Sequence, residues 1–226
     1  MIWREFSSQV ELENELLSFI EKQCNIVVKS DGIASVLLSG GSTPLQLYSN
    51  FHKLNISDWS KVKLGLTDER WVDLDSKYSN FKAISNALGE PFLSNCPLYS
   101  LVHDLEDENK NIELAKSINK SFFQEKSIVL LGMGDDGHTA SIFPGNEFTE
   151  LALSENSPNI SANRAPSHPE KRITHNLRSI LQTKKLILYV KGENKRKILD
   201  DAVDQLLPIS YCMNSHASEL EIFWTP

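Results

Sequence analysis

The sequence predicts an α/β protein, a mostly parallel sheet covered by helices on both sides. Three observations carry that prediction. Residues 33–38, 62–66, 128–131 and 186–190 are short and almost wholly apolar, the look of strands buried on both faces. Amphipathic segments of helical period lie between them, so successive strands cross over and run parallel. Polar turns follow three of the four runs, at the carboxyl ends of strands, where open α/β sheets bind their ligands.

The elements follow in order. Between residues 10 and 29, Leu12, Leu16 and Ile20 recur every fourth position, one apolar helix face. The strand at 33–38 ends in a flexible turn, and Pro44 suits the first position of a new helix, where its missing N–H costs nothing. Leu47, Phe51 and Leu54 continue that helix. The second strand, 62–66, leads into a polar turn at Thr67, Asp68, Glu69 and Arg70. Ser79 and Asn80 cap a helix to about Leu88, and 97–102 reads as a strand. Ile112, Ala115, Ile118 and Phe122 mark a charged amphipathic helix. The strand at 128–131 ends in Gly132-Met133-Gly134. Residues 154–171, rich in Ser, Asn and Pro, read as a surface excursion. After the strand at 186–190 comes a helix carrying Ile198, Leu199, Ala202, Val203 and Leu206, and 219–224 reads as a last, edge strand. No internal repeat or linker is visible, and one domain over residues 1–226 is expected.

Composition narrows the function. The 23 basic and 30 acidic side chains leave a net charge of −7. Nucleic-acid phosphates need a basic face, so no nucleic-acid partner is expected. An anionic ligand would need a local cluster of donors acting against the global field. With 40 % hydrophobic and 23 % charged residues the chain is not of the disordered class. Its size predicts a folded surface of about 10,000 Å², with ~70 % of the unfolded chain's surface hidden. The apolar runs, about five residues long, fall far short of the ~20 of a membrane span. Met1 to Gln9 carries Arg4, Glu5 and no apolar run, so no signal peptide is expected. Three scattered cysteines, Cys24, Cys96 and Cys212, without a CxxC pair, argue against a disulfide framework and a thiolate zinc site. They fit reduced thiols in a cytoplasmic protein.

Each polar turn has a chemical reading and a structural one. Ser39, Gly40, Gly41, Ser42 and Thr43 join a strand to a helix and offer backbone N–H groups and two hydroxyls to a phosphate. The same residues also make an ordinary capped turn. Lacking the lysine of GxxxxGK[ST], the turn is not a nucleotide P-loop. Asp68 and Arg70 would orient a base or grip an anion, or pair with each other in a solvated loop. The third turn, Gly132 to Gly137, matches GxGxxG. It lies mid-chain with no acidic strand end about 20 residues on, which argues against a dinucleotide site. What it offers is His138, flanked by Asp135, Asp136 and Thr139. An imidazole suits general-base work near neutrality, and a neighbouring carboxylate can fix its tautomer. His52, His103, His168, His175 and His216 lack such surroundings, and no HExxH-like spacing suggests a metal. No GxSxG supports a serine nucleophile. Arg172, Lys191 and Lys195 add cations to the same rim, or solvate it.

Together the three turns resemble one family. The blocks Leu38-Ser39-Gly40-Gly41-Ser42-Thr43-Pro44, Thr67-Asp68-Glu69-Arg70-Trp71-Val72 and the run from Gly132 to Gly145 are similar to the signature blocks of the 6-phosphogluconolactonases, which belong with the glucosamine-6-phosphate isomerases. Ser79-Asn80, Arg172-Ile173-Thr174 and Gly192-Glu193-Asn194-Lys195 extend the likeness. The resemblance implies a three-layer α/β/α sandwich with a Rossmann-like, mostly parallel sheet, and hydrolysis of 6-phospho-glucono-1,5-lactone to 6-phosphogluconate, in the pentose phosphate pathway, with no metal or organic cofactor. It implies His138 as the base that activates water. Asp68 and Asp135 would orient His138, substrate or water. Ser39, Gly40, Gly41, Ser42, Thr43, Arg172 and Lys195 would hold the phosphate, with Arg70 contributing. The partner implied is a small phosphosugar lactone, with no membrane, nucleic acid or obligate protein partner. The sister isomerases carry a Glu five residues after the equivalent His. Phe143 stands there in this chain, and Phe cannot relay a proton, which favours the lactonase over the deaminase. A sugar-phosphate sensor on the same fold is the alternative from another class. After Arg172-Ile173-Thr174 the family usually continues Leu-Thr, whereas this chain has His175-Asn176.

Overall fold

The computed structural model describes residues 1–215, 217 and 219–226, so His216 lies outside the described residues. The strands are β1 (Ile2–Glu5), β2 (Ala34–Leu38), β3 (Val62–Leu66), β4 (Asp68–Arg70), β5 (Leu98–Tyr99), β6 (Ile128–Leu131), β7 (Ile160–Arg164), β8 (Lys171–His175), β9 (Leu186–Lys191) and β10 (Leu220–Thr225). The helices are α1 (Gln9–Asp31), α2 (Ser42–Tyr48), α3 (Asn80–Leu88), α4 (Glu90–Leu93), α5 (Glu108–Ile118), α6 (Glu147–Leu153), α7 (Leu177–Leu181), α8 (Glu193–Asp201) and α9 (Pro208–Met213). Seven strands form a parallel sheet in the order β1-β10-β9-β6-β2-β3-β5.

The continuous apolar runs follow from burial on both faces. Along β6, Ile128 and Leu130 join the layer beneath α1, α3 and α5, while Val129 and Leu131 join the layer beneath α7, α8 and α9. Each helix covers its layer with a narrower stripe; in α1 it is Leu12, Leu16, Ile20 and Cys24. The architecture is the expected three-layer α/β/α sandwich. Its surface of 10479 Å² is close to the size expected from its mass.

Several elements differ from expectation. The helix after β2 begins at Ser42, two residues before Pro44, because Gly41 at φ 101° turns the chain directly into it. It ends at Tyr48, and Phe51–Lys53 is a separate 3₁₀ turn. The expected strand at 97–102 shrinks to Leu98–Tyr99. The surface excursion at 154–171 contains β7. That strand pairs antiparallel with β8, and β8 pairs antiparallel with β4, forming a second, three-stranded sheet. The polar stretch Asp68–Arg70 is therefore a strand of that small sheet, although it carries no apolar signal. The final strand, β10, is not an edge. Residues 2–5 add β1 outside it, with Arg4 gripping the buried Glu221 at 2.7 Å. That short, half-exposed strand has no apolar run to announce it.

Candidate active site

The site forms where the carboxyl ends of β2, β3, β6 and β9 meet the small sheet. Leu66 ends β3, and Thr67 carries the chain into β4. Thr67 is pinned by its N–H to Leu38 O at 2.9 Å and its carbonyl to His175 N at 2.8 Å. This stitches the two sheets together at the point where Asp68 begins. Asp68 is buried, with Oδ2 accepting from Ser141 Oγ at 2.6 Å and Oδ1 from Thr67 Oγ1 at 3.1 Å. Its neighbour Glu69 is wholly buried and closes the N-terminus of α3. It accepts from Arg70 N, Asn80 N and Phe81 N, each at 2.7 Å, and from Ser79 Oγ at 3.0 Å. Burial pushes its carboxyl up while those backbone N–H groups pull it down, and burial prevails. Glu69 thus anchors the strand that presents Asp68 and Arg70. Arg70 itself donates to Tyr78 O at 2.7 Å.

His138 stands on the loop after β6. Asp136, Gly137 and His138 form an Asx turn: Asp136 Oδ1 accepts from His138 N at 3.1 Å and lies 2.5 Å from His138 Nδ1. Gly137, at φ 75°, allows that reversal. A Cβ on Gly134 would stand 2.1 Å from His138 Nδ1, so only glycine lets the ring fold back over the loop. Burial raises the Asp136 carboxyl, but the bonds and charge of His138 outweigh it and hold it below the usual range. The ring also packs on Phe143, with centroids 4.6 Å apart, and Arg172 lies beyond that ring, 5.9 Å from its centroid.

Two clefts share the wall formed by Gly40, Gly41, Gly132 and Met133. The first holds Ser39, Asp68, Arg70, Asn80 and His138. The second holds Ser42, Thr43, Asp135, Lys191 and Lys195. Lys195 Nζ donates to Met133 O at 2.7 Å and pairs with Asp135 at 2.8 Å. Lys191 is exposed and donates to Gln9 at 2.8 Å, so Lys195 is the cation tied to the His138 loop.

The structure therefore brings together ten of the eleven residues expected at the site. Arg172 lines neither cleft; it is buried beside Arg70 in the register of β4 and β8. Burial first, and Arg70 second, push its guanidinium down to about 10, and its Nη1 finds no partner among the described residues. Asp135 turns to Lys195, and the carboxylate against His138 is Asp136. The signal that finds it is the Asp-Gly-His order itself, since an Asp side chain reaches the backbone N–H two residues on. Ser141 and Thr174, which hold Asp68 in place through Ser141 Oγ and a 3.2 Å bond from Ser141 N to Thr174 Oγ1, carry no such signal.

A parallel sheet with a His–Asp pair and clustered cations at its carboxyl end defines an α/β enzyme for a small anionic substrate. The chain belongs to the glucosamine-6-phosphate isomerase/6-phosphogluconolactonase family, whose model matches residues 7–224. It is 29 % identical over 226 residues to a 6-phosphogluconolactonase of Rhizobium meliloti (strain 1021), covering 98 % of this chain and 97 % of that protein. It is 31 % identical over 225 residues to a 6-phosphogluconolactonase of Xylella fastidiosa (strain Temecula1), covering 95 % and 88 %. The crystal structure of a 6-phosphogluconolactonase from Shewanella baltica superposes with a TM-score of 0.93 at 30 % identity, covering 100 % of this chain and 98 % of that one.

Proposed function

We propose that this chain hydrolyses 6-phospho-glucono-1,5-lactone to 6-phosphogluconate, with His138 as general base. The observation that carries the mechanism is the 2.5 Å contact between Asp136 and His138 Nδ1 in a cleft that also holds Asp68 and Arg70. The ionised Asp136 accepts from Nδ1–H and leaves the Nε2 lone pair free for a proton from water. Water loses that proton as its oxygen bonds to the lactone carbonyl carbon. The tetrahedral adduct collapses with cleavage of the bond to the ring oxygen, which takes the proton back from Nε2. One water is consumed, and the ring opens to a hydroxy acid. A lactone is an activated ester, so a placed base and modest oxyanion stabilisation suffice without a covalent intermediate.

The phosphate is remote from the carbonyl, and its binding energy aligns the ring against His138. Lys195 and the loop of Ser39, Gly40, Gly41, Ser42 and Thr43 would hold it, with Arg70 contributing from the first cleft and Arg172 adding positive charge from behind. Asp68, fixed by Ser141, would orient water or a substrate hydroxyl. Phe143 packs against His138 and cannot relay a proton, which argues against the isomerase chemistry. The reading takes residues 1–226 as one working unit, since Thr67 joins the two sheets at the site. It places the protein in the cytoplasm, where the three buried, free thiols of Cys24, Cys96 and Cys212 stay reduced. Among the described residues, no helix is long and apolar enough to cross a membrane.

The test is hydrolysis of freshly generated lactone by wild type and His138→Ala, with spontaneous hydrolysis subtracted. Fast turnover lost in the variant is the expected result. Turnover that survives intact would keep the activity and overturn the base. Binding without wild-type turnover would favour the sensor, and turnover of glucosamine 6-phosphate the sister activity.

A further inference from the structure

Asp135 is 79 % exposed, sits on the His138 loop, and spends its carboxylate on Lys195 at 2.8 Å, with Asn194 Nδ2 on the same oxygen at 3.4 Å. Both Asp135 and Lys195 line the second cleft. The two partners are not equally fixed. Lys195 is only 20 % exposed and is anchored independently by Met133 O at 2.7 Å, on the wall common to both clefts. Asp135 has the ion pair and one long amide contact. Anything that breaks the pair moves the carboxylate and leaves the ammonium where it is. Lys195 in turn holds the Asp135 carboxyl below its usual range, so it is an anion throughout the neutral region.

We infer that Asp135 is a displaceable counter-ion: it neutralises Lys195 while the cleft is empty and yields it to a phosphate dianion. The inference rests on the lactonase reading for the identity of the anion. An exposed carboxylate holds an ammonium weakly, by about two- to fivefold. A dianion with three acceptor oxygens wins that exchange, because charge-assisted bonds strengthen with the charge of the acceptor. A neutral sugar hydroxyl does not. Asp135 thus acts on specificity: an unphosphorylated lactone meets a pair already satisfied and gains nothing from Lys195. This is a different role from orienting His138, which Asp136 fills.

Asp135→Asn separates the two roles. Being exposed, the position tolerates the change, and circular dichroism checks the fold. Calorimetric titration with inorganic phosphate at about pH 8, where it is a dianion, should show a dissociation constant lower by about two- to fivefold, the hold of the lost pair. KM for the phosphorylated lactone should fall by a similar factor. In a Lys195→Met background the Asp135→Asn change should have no effect on phosphate affinity. Unchanged or weaker phosphate binding in Asp135→Asn would overturn the inference. So would a fall in kcat, with a displaced pH profile and KM unmoved, which would return Asp135 to His138. Absence of lactone turnover in wild type would sink the lactonase reading, while the phosphate titration would still decide the counter-ion.

Discussion

Replacing His175 by Leu should remove a specific part of the protein's acid sensitivity. His175, the last residue of β8, is wholly buried, against the ring of Phe123 at 6.1 Å. Lys126, also wholly buried, donates to Phe122 O at 2.8 Å, Gln124 O at 3.2 Å and Ser179 Oγ at 3.4 Å. An ammonium has no lone pair, so Ser179 Oγ accepts from Lys126 and gives its own hydrogen to His175 Nδ1, 2.8 Å away. That leaves the imidazole hydrogen on Nε2, which has no partner among the described residues. Burial first, then the Lys126 charge, push the His175 pKa from 6.5 down to about 3. The unfolded chain binds a proton here below pH 6.5 and the folded chain does not, so stability is full above that pH and falls as pH drops toward 3. Between neutrality and about pH 5 the loss is about 2 kcal/mol, one and a half pKa units at about 1.4 kcal/mol each. Urea unfolding of wild type and His175→Leu at about pH 7 and pH 5 isolates it. Other acid-titrating groups are common to both proteins. The wild type should lose about 2 kcal/mol more than the variant over that interval. Equal losses would refute a buried neutral His175. Lys126 works in the same direction in a higher window. Burial lowers its pKa to about 8, so its contribution to stability grows as pH rises from about 8 toward its ordinary value.

Two further outcomes follow from the site. Asp136→Asn keeps the size of the side chain but can turn an amide donor toward His138 Nδ1, placing the ring hydrogen on the nitrogen that must accept. Lactone kcat/KM should fall by about 10²–10⁴, the range that general-base catalysis supplies, with thermal stability nearly unchanged; retained activity would remove Asp136 from the mechanism. Glu69→Gln replaces an acceptor pair that serves three backbone N–H groups and a hydroxyl. One oxygen becomes an NH₂, and two buried donors lose their partner at about 1–3 kcal/mol each. Tm should fall measurably, and activity should fall with it as β4 loosens.

How much of this was legible in the sequence depends on where each element draws its stability. The strands β2, β3, β6 and β9 are held by burial on both faces, and burial writes itself into composition as continuous apolar runs. Helix α3 announces itself by Ser79, whose Oγ caps Lys82 N at 3.1 Å. Strand β4 is invisible by that logic. Asp68, Glu69 and Arg70 are a strand only because β8, far along the chain, lies beside them and α3 supplies donors to Glu69. The same holds for β1, whose pairing with β10 joins the two ends of the chain. At the site, the glycine turns and His138 could be read because their function needs unusual local backbone. The division of labour between Asp135 and Asp136 could not. Adjacent residues on a loop point in different directions, and only the positions of Lys195 and His138 decide which carboxylate serves which.

That division shows how one short rim runs several carboxylates at once. Glu69 is buried and committed to backbone N–H groups, so it builds the scaffold and is closed to substrate. Asp68 is buried too, but its hydroxyl partners, Ser141 and Thr67, leave it at the wall of the first cleft. Asp136 is exposed but bound to an imidazole through Nδ1 and the backbone N–H, which fixes a tautomer. Asp135 is exposed and bound to a cation that has a second anchor, which makes it the only one of the four that can leave at little cost. Chemically the four are nearly identical; burial and partner assign the work. A substitution that exchanged their surroundings, not their identities, would be the one to disable the site.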